Sequence, residues 1–316
     1  MGKVAFVFPG QGAQVVGMAK EFYDTFPECK EVFDIAEEKL DFDIKKMCFE
    51  ENEEINKTEY TQAAILTAST CIMKAIEMTG IKPDYTAGLS LGEFTALVAN
   101  KTLSFEDAVK VVRKRGIYME TEVPAGQGTM AAVLGLNGDI VDRVCEEVEK
   151  QCGNPVAAAN YNCPGQIVIS GETGAVQCAK EKLLEAGAKK VVFLKVSGPF
   201  HSVMLEGVEE KLWEEFSKIT FHEGTIPYVS SVNAQVIAGD TDRSEIRELL
   251  EKQVHVPVRW QQAVEKMIEE GVDTFVEIGP GKTLTGFLKR INKDVRKINI
   301  NKVSDLDNLK KLLEVC

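Results

Sequence analysis

The chain has 316 residues, of which 44% are hydrophobic and 27% are charged, as in ordinary globular proteins with a sizeable core. Its formal net charge of −12 argues against nucleic-acid binding, which needs a basic surface. No apolar run approaches the roughly 20 residues of a membrane span, and the first residues look like a buried strand rather than a signal peptide. We therefore expect a cytoplasmic protein that binds neither nucleic acid nor membrane.

The cysteines are scattered along the chain without any C-x-x-C pair, which is neither a zinc pattern nor a disulfide framework. We expect them to be reduced thiols, mostly in the core, and we expect no metal site. Their positions are Cys29, Cys48, Cys71, Cys145, Cys152, Cys163, Cys178 and Cys316.

In chain order, strands rich in Val, Ala, Ile and Phe alternate with amphipathic helices, which indicates α/β architecture. The first strand is the apolar run VAFVF at 4–8, as expected for a central strand of a parallel sheet. Helical periodicity follows at 16–39, 60–79, 91–99 and 105–120.

The pattern changes near residue 125. The next elements follow the order β-α-β-β-α-β, which is typical of a small ferredoxin-like domain. They are a strand at 130–135, a helix at 140–151, strands at 156–161 and 166–171, a helix at 174–187 and a strand at 189–196. Larger α/β units then return, with strands at 225–232 and 274–281 and helices near 243–253 and from about 303.

The most economical organisation is a small domain inserted into a large one. We predict the α/β class, with a large α/β-hydrolase-like domain that has a parallel sheet and is formed by residues 1–125 and 198–316. Residues 126–197 would form the inserted ferredoxin-like α+β domain.

Two glycine-rich stretches fail as nucleotide-binding motifs. In GQGAQV the third glycine of G-x-G-x-x-G would fall at Val15, and the P-loop reading of GPGKT would need a glycine where Val276 stands. Both are better interpreted as tight turns from strand to helix, and such turns are where α/β active sites gather.

A third turn, GLSLG at 88–92, places Ser90 between two glycines. In a nucleophile elbow the serine stands at a strained strand-to-helix turn, and the residues two before and two after it must be small. Residues 85–89 can form a short buried strand, and apolar residues recur at helical spacing from 91 to 98. An ordinary turn can share this pattern, so the pattern alone leaves both interpretations open.

A serine nucleophile needs a general base, usually a histidine, and the chain has three. His222 stands among charged residues and is expected at the surface, and His255 has a position typical of a structural role. His201 follows a strand in a Gly-Pro turn, where a side chain can point into a cleft. We predict that His201 is the base for Ser90.

The order of these residues is not that of an ordinary α/β-hydrolase, in which an acid stands between the serine and a histidine near the C-terminus. More than a hundred residues follow His201, and no acid is obvious as a third member. A Ser-His dyad, with the histidine oriented by a backbone carbonyl, fits better than a triad.

Taken together, the motifs resemble the malonyl-CoA:acyl carrier protein transacylases of fatty acid synthesis and the related acyltransferase domains of polyketide synthases. The likeness keeps its order over essentially the whole chain. The matching stretches are FVFPGQGAQ at 6–14, TEYTQAA at 58–64, GLSLGEF at 88–94, RKRGIYM at 113–119, NYNCPGQIVISG at 160–171, SGPFHSVML at 197–205, QVHVPVRW at 253–260 and EIGPGKTLTG at 277–286. Leu89 and Ala63 depart from the residues that many members have, and neither position supplies catalytic atoms.

The resemblance implies that Ser90 accepts the acyl group and that His201 is its base. The backbone N–H groups of Gln11 and Leu91 would form the oxyanion hole, since glycines around Gln11 let the backbone approach the substrate carbonyl. Arg115 would bind the free carboxylate of malonate, because its planar fork matches a carboxylate bidentately.

Other site residues follow from the same resemblance. The backbone carbonyl of Gln253 would orient the histidine, and Gln62 and Asn162 would be polar residues near the pocket. Phe200 would leave little room for an α-methyl group, so we expect malonyl to be preferred over methylmalonyl.

The implied reaction is ping-pong transfer of malonyl from malonyl-CoA to the phosphopantetheine thiol of acyl carrier protein, through a malonyl-serine intermediate that supplies fatty acid synthesis. No metal or redox cofactor would be needed, and we expect a monomer. Two alternatives remain open: a serine thioesterase or esterase with the same dyad, and a non-catalytic module that binds carrier proteins.

Basic residues outside the predicted site have two possible interpretations. Arg113 and Lys114 are expected on a solvated helix face. Acyl carrier proteins are generally acidic, and so is this chain, so a local basic patch would be needed for docking. The candidate run is equally consistent with a solvated helix; it contains Lys289, Arg290, Lys293, Arg296 and Lys297.

Overall fold

The computed structural model describes residues 2–314, so Cys316 and the last residues of the predicted large domain lie outside the described part. Within that part the strands are β1 (Lys3–Phe8), β2 (Tyr85–Gly88), β3 (Gly128–Leu134), β4 (Val156–Cys163), β5 (Gln166–Glu172), β6 (Lys190–Phe193), β7 (Tyr228–Val229), β8 (Val236–Ile237), β9 (Val272–Ile278) and β10 (Arg296–Ile300).

The helices of the same part lie between and around these strands. They are α1 (Lys20–Thr25), α2 (Pro27–Lys39), α3 (Ile44–Phe49), α4 (Thr58–Glu77), α5 (Leu91–Ala99), α6 (Phe105–Thr121), α7 (Gly138–Cys152), α8 (Thr173–Glu185), α9 (Gly207–Phe216), α10 (Arg243–Lys252), α11 (Trp260–Glu269), α12 (Thr283–Ile291) and α13 (Asp305–Glu314). Among residues 2–314, no helix has the length and apolar character required to cross a bilayer.

Among the described residues, the larger sheet has six strands in the order β10-β9-β1-β2-β7-β8. Its pairs are parallel except for the short edge pair β7–β8. The central strand β1 is buried from both sides, which explains its continuous apolar run. Phe6 and Phe8 pack in one apolar cluster with α4, α5 and α6, whereas Ala5 and Val7 pack in a second cluster with α11 and α12.

The smaller sheet has four antiparallel strands within the described residues, in the order β4-β5-β3-β6. Helices α7 and α8 pack against it through a third apolar cluster, which includes Val144 and Leu183. This is the ferredoxin-like arrangement, and the predicted α/β class with a parallel sheet and a small ferredoxin-like unit is confirmed. The boundaries at 126 and 197 stay predictions.

Some elements differ from the sequence-based expectation. The helical pattern at 16–39 is split, because Phe26 is extended and Pro27 begins a new helix. A residue before proline is disfavoured in the helical region, and proline suits the first helical turn. The expected strand at 225–232 forms only the two residues of β7, and helices α3 and α11 were not predicted. The interpretation of the basic run as one helix is wrong: Lys289 and Arg290 lie at the end of α12, whereas Arg296 and Lys297 belong to strand β10.

Candidate active site

Ser90 stands at a sharp turn between the end of β2 and the start of α5. Its backbone has φ 53° and ψ −109°, a conformation that a residue with a side chain rarely adopts. A Cβ atom added to Gly88 would lie 1.9 Å from the backbone carbon of Gly92, and one added to Gly92 would lie 2.1 Å from the carbonyl oxygen of Phe8. The turn therefore has the geometry of a nucleophile elbow, and both glycines are required by close backbone approach.

His201 approaches Ser90 from the loop that follows β6. The distance from Ser90 Oγ to His201 Nε2 is 2.8 Å, and His201 Nδ1 lies 2.8 Å from the backbone oxygen of Gln253. Because a carbonyl oxygen can only accept, Nδ1 must hold the proton of the neutral ring. Nε2 is then the atom that can accept the Ser90 proton. The backbone N–H of His201 also donates to Val254 O at 3.0 Å, which fixes the turn.

The site keeps His201 uncharged. Burial lowers the pKa of His201 to about 3, and the positive charge of Arg115 acts in the same direction. The imidazole is therefore neutral at pH 7 and is available as a base.

The Arg115 side chain extends from α6 to Ser90 and is 1% exposed. Its Nη1 donates to Gln62 Oε1 at 2.7 Å, and its Nη2 donates to Gln253 Oε1 at 2.8 Å and to Ser90 Oγ at 3.2 Å. Since Ser90 Oγ accepts from Arg115, its own proton is directed toward His201. Burial lowers the pKa of Arg115 to about 9, so the guanidinium is still charged at neutral pH.

Arg115 is not neutralised by direct contact with an acid. Its hydrogen-bond partners among the described side chains are the uncharged groups of Gln62, Ser90 and Gln253, and its Nε has no partner there. A buried guanidinium without a contacting carboxylate is well suited to bind one from a substrate.

The loop after β1 packs directly on the elbow. A Cβ atom added to Gly10 would lie 2.4 Å from Leu89 O, so the loop can approach only because this residue is glycine. Gln11 and Leu91 both line the cavity beside Ser90, and neither backbone N–H donates a hydrogen bond within the part of the chain that the structure describes. Their role as oxyanion hole stays a prediction.

The cavity beside Ser90 has a volume of about 180 Å³ and lies between the two sheets. Of the residues predicted from the sequence, those that line it are Gln11, Gln62, Ser90, Leu91, Arg115, Asn162, Phe200 and His201. Gln253 lies behind them, bonded to both His201 and Arg115. Asn160, Met130 and Val168 of the smaller sheet also line it, so both sheets contribute to one site.

Residues set aside by the sequence analysis lie elsewhere. His222 is exposed, and His255 Nε2 lies 2.6 Å from Glu209 Oε2. No group of His, Cys, Asp and Glu side chains suited to a metal ion occurs among residues 2–314. The seven described cysteines are free thiols, and five of them are buried.

The expectation for Arg113 was wrong. Its side chain is not on a solvated face: it bonds Asp41 Oδ1 through Nε at 2.8 Å and Glu59 Oε2 through Nη1 at 2.9 Å. Helices α4 and α6 pack closely and cover it, whereas Lys114 is exposed as expected. Arg113 and Arg115 thus leave α6 toward different partners.

The sequence analysis also missed three polar groups beneath the elbow: Glu93, Ser231 and the side-chain amide of Gln253. Glu93 is fully buried and accepts hydrogen bonds from the other two. A signal was present, because Glu93 is a lone carboxylate in the otherwise apolar helix LGEFTALVA. Ser231 gave no such signal.

A strained serine bonded to a neutral histidine, in an α/β fold, is typical of enzymes that form acyl-serine esters. The buried arginine adds a binding group for an acidic acyl chain. A family model described as "Acyl transferase domain" matches residues 5–307. The chain belongs to this acyltransferase family.

Relatives with similar sequence and structure agree with this assignment. The malonyl CoA-acyl carrier protein transacylase of Bacillus subtilis is 45% identical over 302 residues, covering 95% of this chain and 94% of that protein. The crystal structure of the Clostridium perfringens transacylase of the same name is 45% identical and has a TM-score of 0.94, with 99% and 98% of the two chains covered. The resemblance inferred from the motifs is confirmed.

A third relative was solved with a partner. It is a malonyl-transacylase in complex with a type II PKS acyl-carrier protein, and it is 37% identical to this chain with a TM-score of 0.93. The match covers 97% of this chain and 98% of that one.

Proposed function

We propose that the chain transfers a malonyl group from malonyl-CoA to the phosphopantetheine thiol of an acyl carrier protein, through an ester on Ser90. The observation that supports this most directly is the position of Ser90 Oγ, which lies 2.8 Å from His201 Nε2 and 3.2 Å from Arg115 Nη2. The nucleophile is thus between a base and a cation able to bind the malonyl carboxylate. The relatives' names indicate the same substrates.

In the first half-reaction His201 Nε2 takes the proton of Ser90 as Oγ attacks the thioester carbonyl carbon. The backbone N–H groups of Gln11 and Leu91 would stabilise the oxyanion of the tetrahedral intermediate. The C–S bond then breaks, and the imidazolium returns its proton to the coenzyme A thiolate. Because burial and Arg115 disfavour a charged imidazole, this proton is given up readily.

In the second half-reaction the phosphopantetheine thiol replaces coenzyme A. His201 takes the thiol proton, and the sulfur attacks the ester carbonyl. Collapse of the second tetrahedral intermediate breaks the bond to Ser90 Oγ, which recovers its proton from His201. These steps need no metal and no redox cofactor, and the absence of a cofactor is part of the proposal.

Selection among acyl groups would depend on two sides of the cavity. Arg115 would bind the free carboxylate through its fork. Phe200 lines the cavity immediately before His201 and is 5% exposed, so its ring cannot move aside freely. A methyl group on the α-carbon would have to displace packed atoms, and malonyl should be preferred over methylmalonyl.

Docking of the carrier to the basic run also belongs to this proposal. Arg290 is already bonded to Gln166 Oε1 and Pro164 O, and Arg296 is paired with Asp273. The partners of Arg290 are uncharged oxygens, as are those of Lys297, so these hydrogen bonds leave both positive charges available to an acidic carrier. A monomeric, cytoplasmic enzyme that supplies fatty acid synthesis remains a prediction.

The test is intact-protein mass spectrometry after mixing with malonyl-CoA, for wild type and Ser90→Ala, followed by addition of holo carrier protein. A malonyl adduct on wild type only, which then moves to the carrier, would support the proposal. Release of the adduct as free malonate would instead indicate a thioesterase. Absence of any adduct on wild type would overturn the proposal.

A further inference from the structure

Glu93 is a buried carboxylate to which the mechanism assigns no role. It lies in the first turn of α5, three residues after Ser90, and its exposed fraction is 0%. Another buried carboxylate, Glu277, bonds the backbone N–H groups of Leu284 and Thr285 and so caps the start of α12. That local explanation of burial does not apply to Glu93, whose partners come from distant segments of the chain.

The hydrogen bonds that Ser231 and Gln253 donate to the Glu93 side chain converge on one oxygen. Oε2 accepts from Ser231 Oγ at 2.6 Å, from Ser231 N at 3.2 Å and from Gln253 Nε2 at 2.7 Å. Its other oxygen, Oε1, has no partner among the described residues. Burial raises the pKa of Glu93, and the hydrogen bonds from Ser231 and Gln253 act against that shift.

The Gln253 side chain connects Glu93 to Arg115. Its Oε1 accepts from Arg115 Nη2 at 2.8 Å, and its Nε2 donates to Glu93 Oε2 at 2.7 Å. A guanidinium can only donate, and an ionised carboxylate can only accept. The two ends of the amide are therefore assigned without ambiguity, and Glu93 favours the one orientation in which the amide oxygen faces Arg115.

The indirect connection leaves part of the Arg115 guanidinium available to a substrate, which a direct ion pair would not do. A carboxylate in contact with Arg115 would hold the guanidinium but would also occupy its hydrogen-bonding edge. With the amide of Gln253 between them, Glu93 acts on the guanidinium from a distance, because it holds the amide oxygen toward Arg115. The guanidinium stays fixed while its remaining N–H groups can meet a substrate.

We propose that Glu93 is a positioning residue for acyl-group selection, acting through the Gln253 amide to hold Arg115 where it can bind an acyl carboxylate. This inference rests on the proposed function, since it assumes that Arg115 receives such a carboxylate. Glu93 itself touches neither the cavity nor the reacting atoms.

The experiment compares kcat/KM for malonyl-CoA and acetyl-CoA, with holo carrier protein as acceptor, in wild type, Glu93→Ala and Glu93→Gln. In Glu93→Ala the Gln253 amide loses its hydrogen-bond acceptor and Arg115 loses its support, so the malonyl-to-acetyl preference should fall by about 10- to 100-fold. The amide oxygen of Glu93→Gln can accept the same hydrogen bonds. Its preference should stay within about threefold of wild type.

Gln253→Leu provides a second variant in case Glu93→Ala does not fold. It keeps the backbone carbonyl that bonds His201 but removes the amide, with its bonds to Arg115 and to Ser90 O, so it should lower the preference at least as much as Glu93→Ala. Combining it with Glu93→Ala should add little, because both changes break the same connection.

Several results would overturn the inference. Parallel losses with both acyl donors in Glu93→Ala would indicate general damage to the elbow, and an unchanged preference would show that Glu93 does not act on Arg115. Equal losses in Glu93→Gln and Glu93→Ala would assign the effect to charge rather than amide orientation. Arg115→Ala separates the two proposals: if it loses the preference and Glu93→Ala keeps it, only the inference fails. If wild type shows no preference for malonyl, the proposed function fails as well.

Discussion

Replacement of Arg115 by alanine is the most informative perturbation of the site. The side chain is 1% exposed and donates to Gln62, Gln253 and Ser90, so its loss removes the charged group of the pocket without touching the base. A hydrogen bond to a charged group contributes about 1.5–3 kcal/mol. Two such bonds to a malonyl carboxylate would amount to about 3 kcal/mol or more, which is a fall of at least about 100-fold in kcat/KM.

The assay is acyl transfer to holo carrier protein, with malonyl-CoA and acetyl-CoA measured side by side. Acetyl has no carboxylate, so its kcat/KM should change by less than about tenfold in Arg115→Ala, the residual effect arising from the lost contact with Ser90 Oγ. Arg115→Lys should lie between wild type and Arg115→Ala, because an ammonium keeps the charge but not the planar fork.

Arg113→Ala is the matched control, since it removes the same side chain from the same helix two positions away. Its contacts with Asp41 and Glu59 lie outside the cavity, so it should reduce the free energy of unfolding by about 1–3 kcal/mol and leave the malonyl-to-acetyl preference unchanged. The reasoning about Arg115 is refuted if Arg115→Ala retains malonyl transfer, or if both acyl donors lose equally in it.

Three further predictions concern the elbow and the base. Ser90→Ala should form no malonyl adduct by mass spectrometry, and an adduct on that variant would place the nucleophile elsewhere. Because burial depresses the pKa of His201 to about 3, the unfolded chain binds a proton at His201 more readily than the folded chain does. His201 should therefore contribute stability above about pH 6.5 that is lost as the pH falls toward 3, and denaturant unfolding across this range measures it. A free energy of unfolding whose dependence on pH is the same in wild type and His201→Gln would contradict this. Gly88→Ala should lower the free energy of unfolding by about 3 kcal/mol or more, because its Cβ would clash with the backbone of Gly92. The control is Gly286→Ala in helix α12, where a Cβ meets nothing within 4 Å, and it should be neutral or raise the free energy of unfolding by up to about 1 kcal/mol. Equal unfolding midpoints for the two variants would refute the argument that close backbone approach requires Gly88.

The sequence by itself determined the local parts of this protein. The apolar run at the first strand, the small residues around Ser90 and the Gly-Pro turn before His201 each express a constraint that acts within a few residues. Such constraints are readable because backbone geometry and side-chain periodicity depend on near neighbours. The resemblance over the whole chain then ordered these parts into one site.

Only the tertiary structure decided which polar groups meet beneath that site. Glu93, Ser231 and Gln253 are separated by up to 160 positions, and the orientation of the Gln253 amide depends on what lies at both of its ends. The burial and ion pairing of Arg113 could not be predicted either, since its partner Asp41 comes from a loop 72 positions away. Packing between distant segments decides whether a charged side chain is buried, and the sequence alone does not show that packing. The one local sign of it here is Glu93, the lone carboxylate of helix α5.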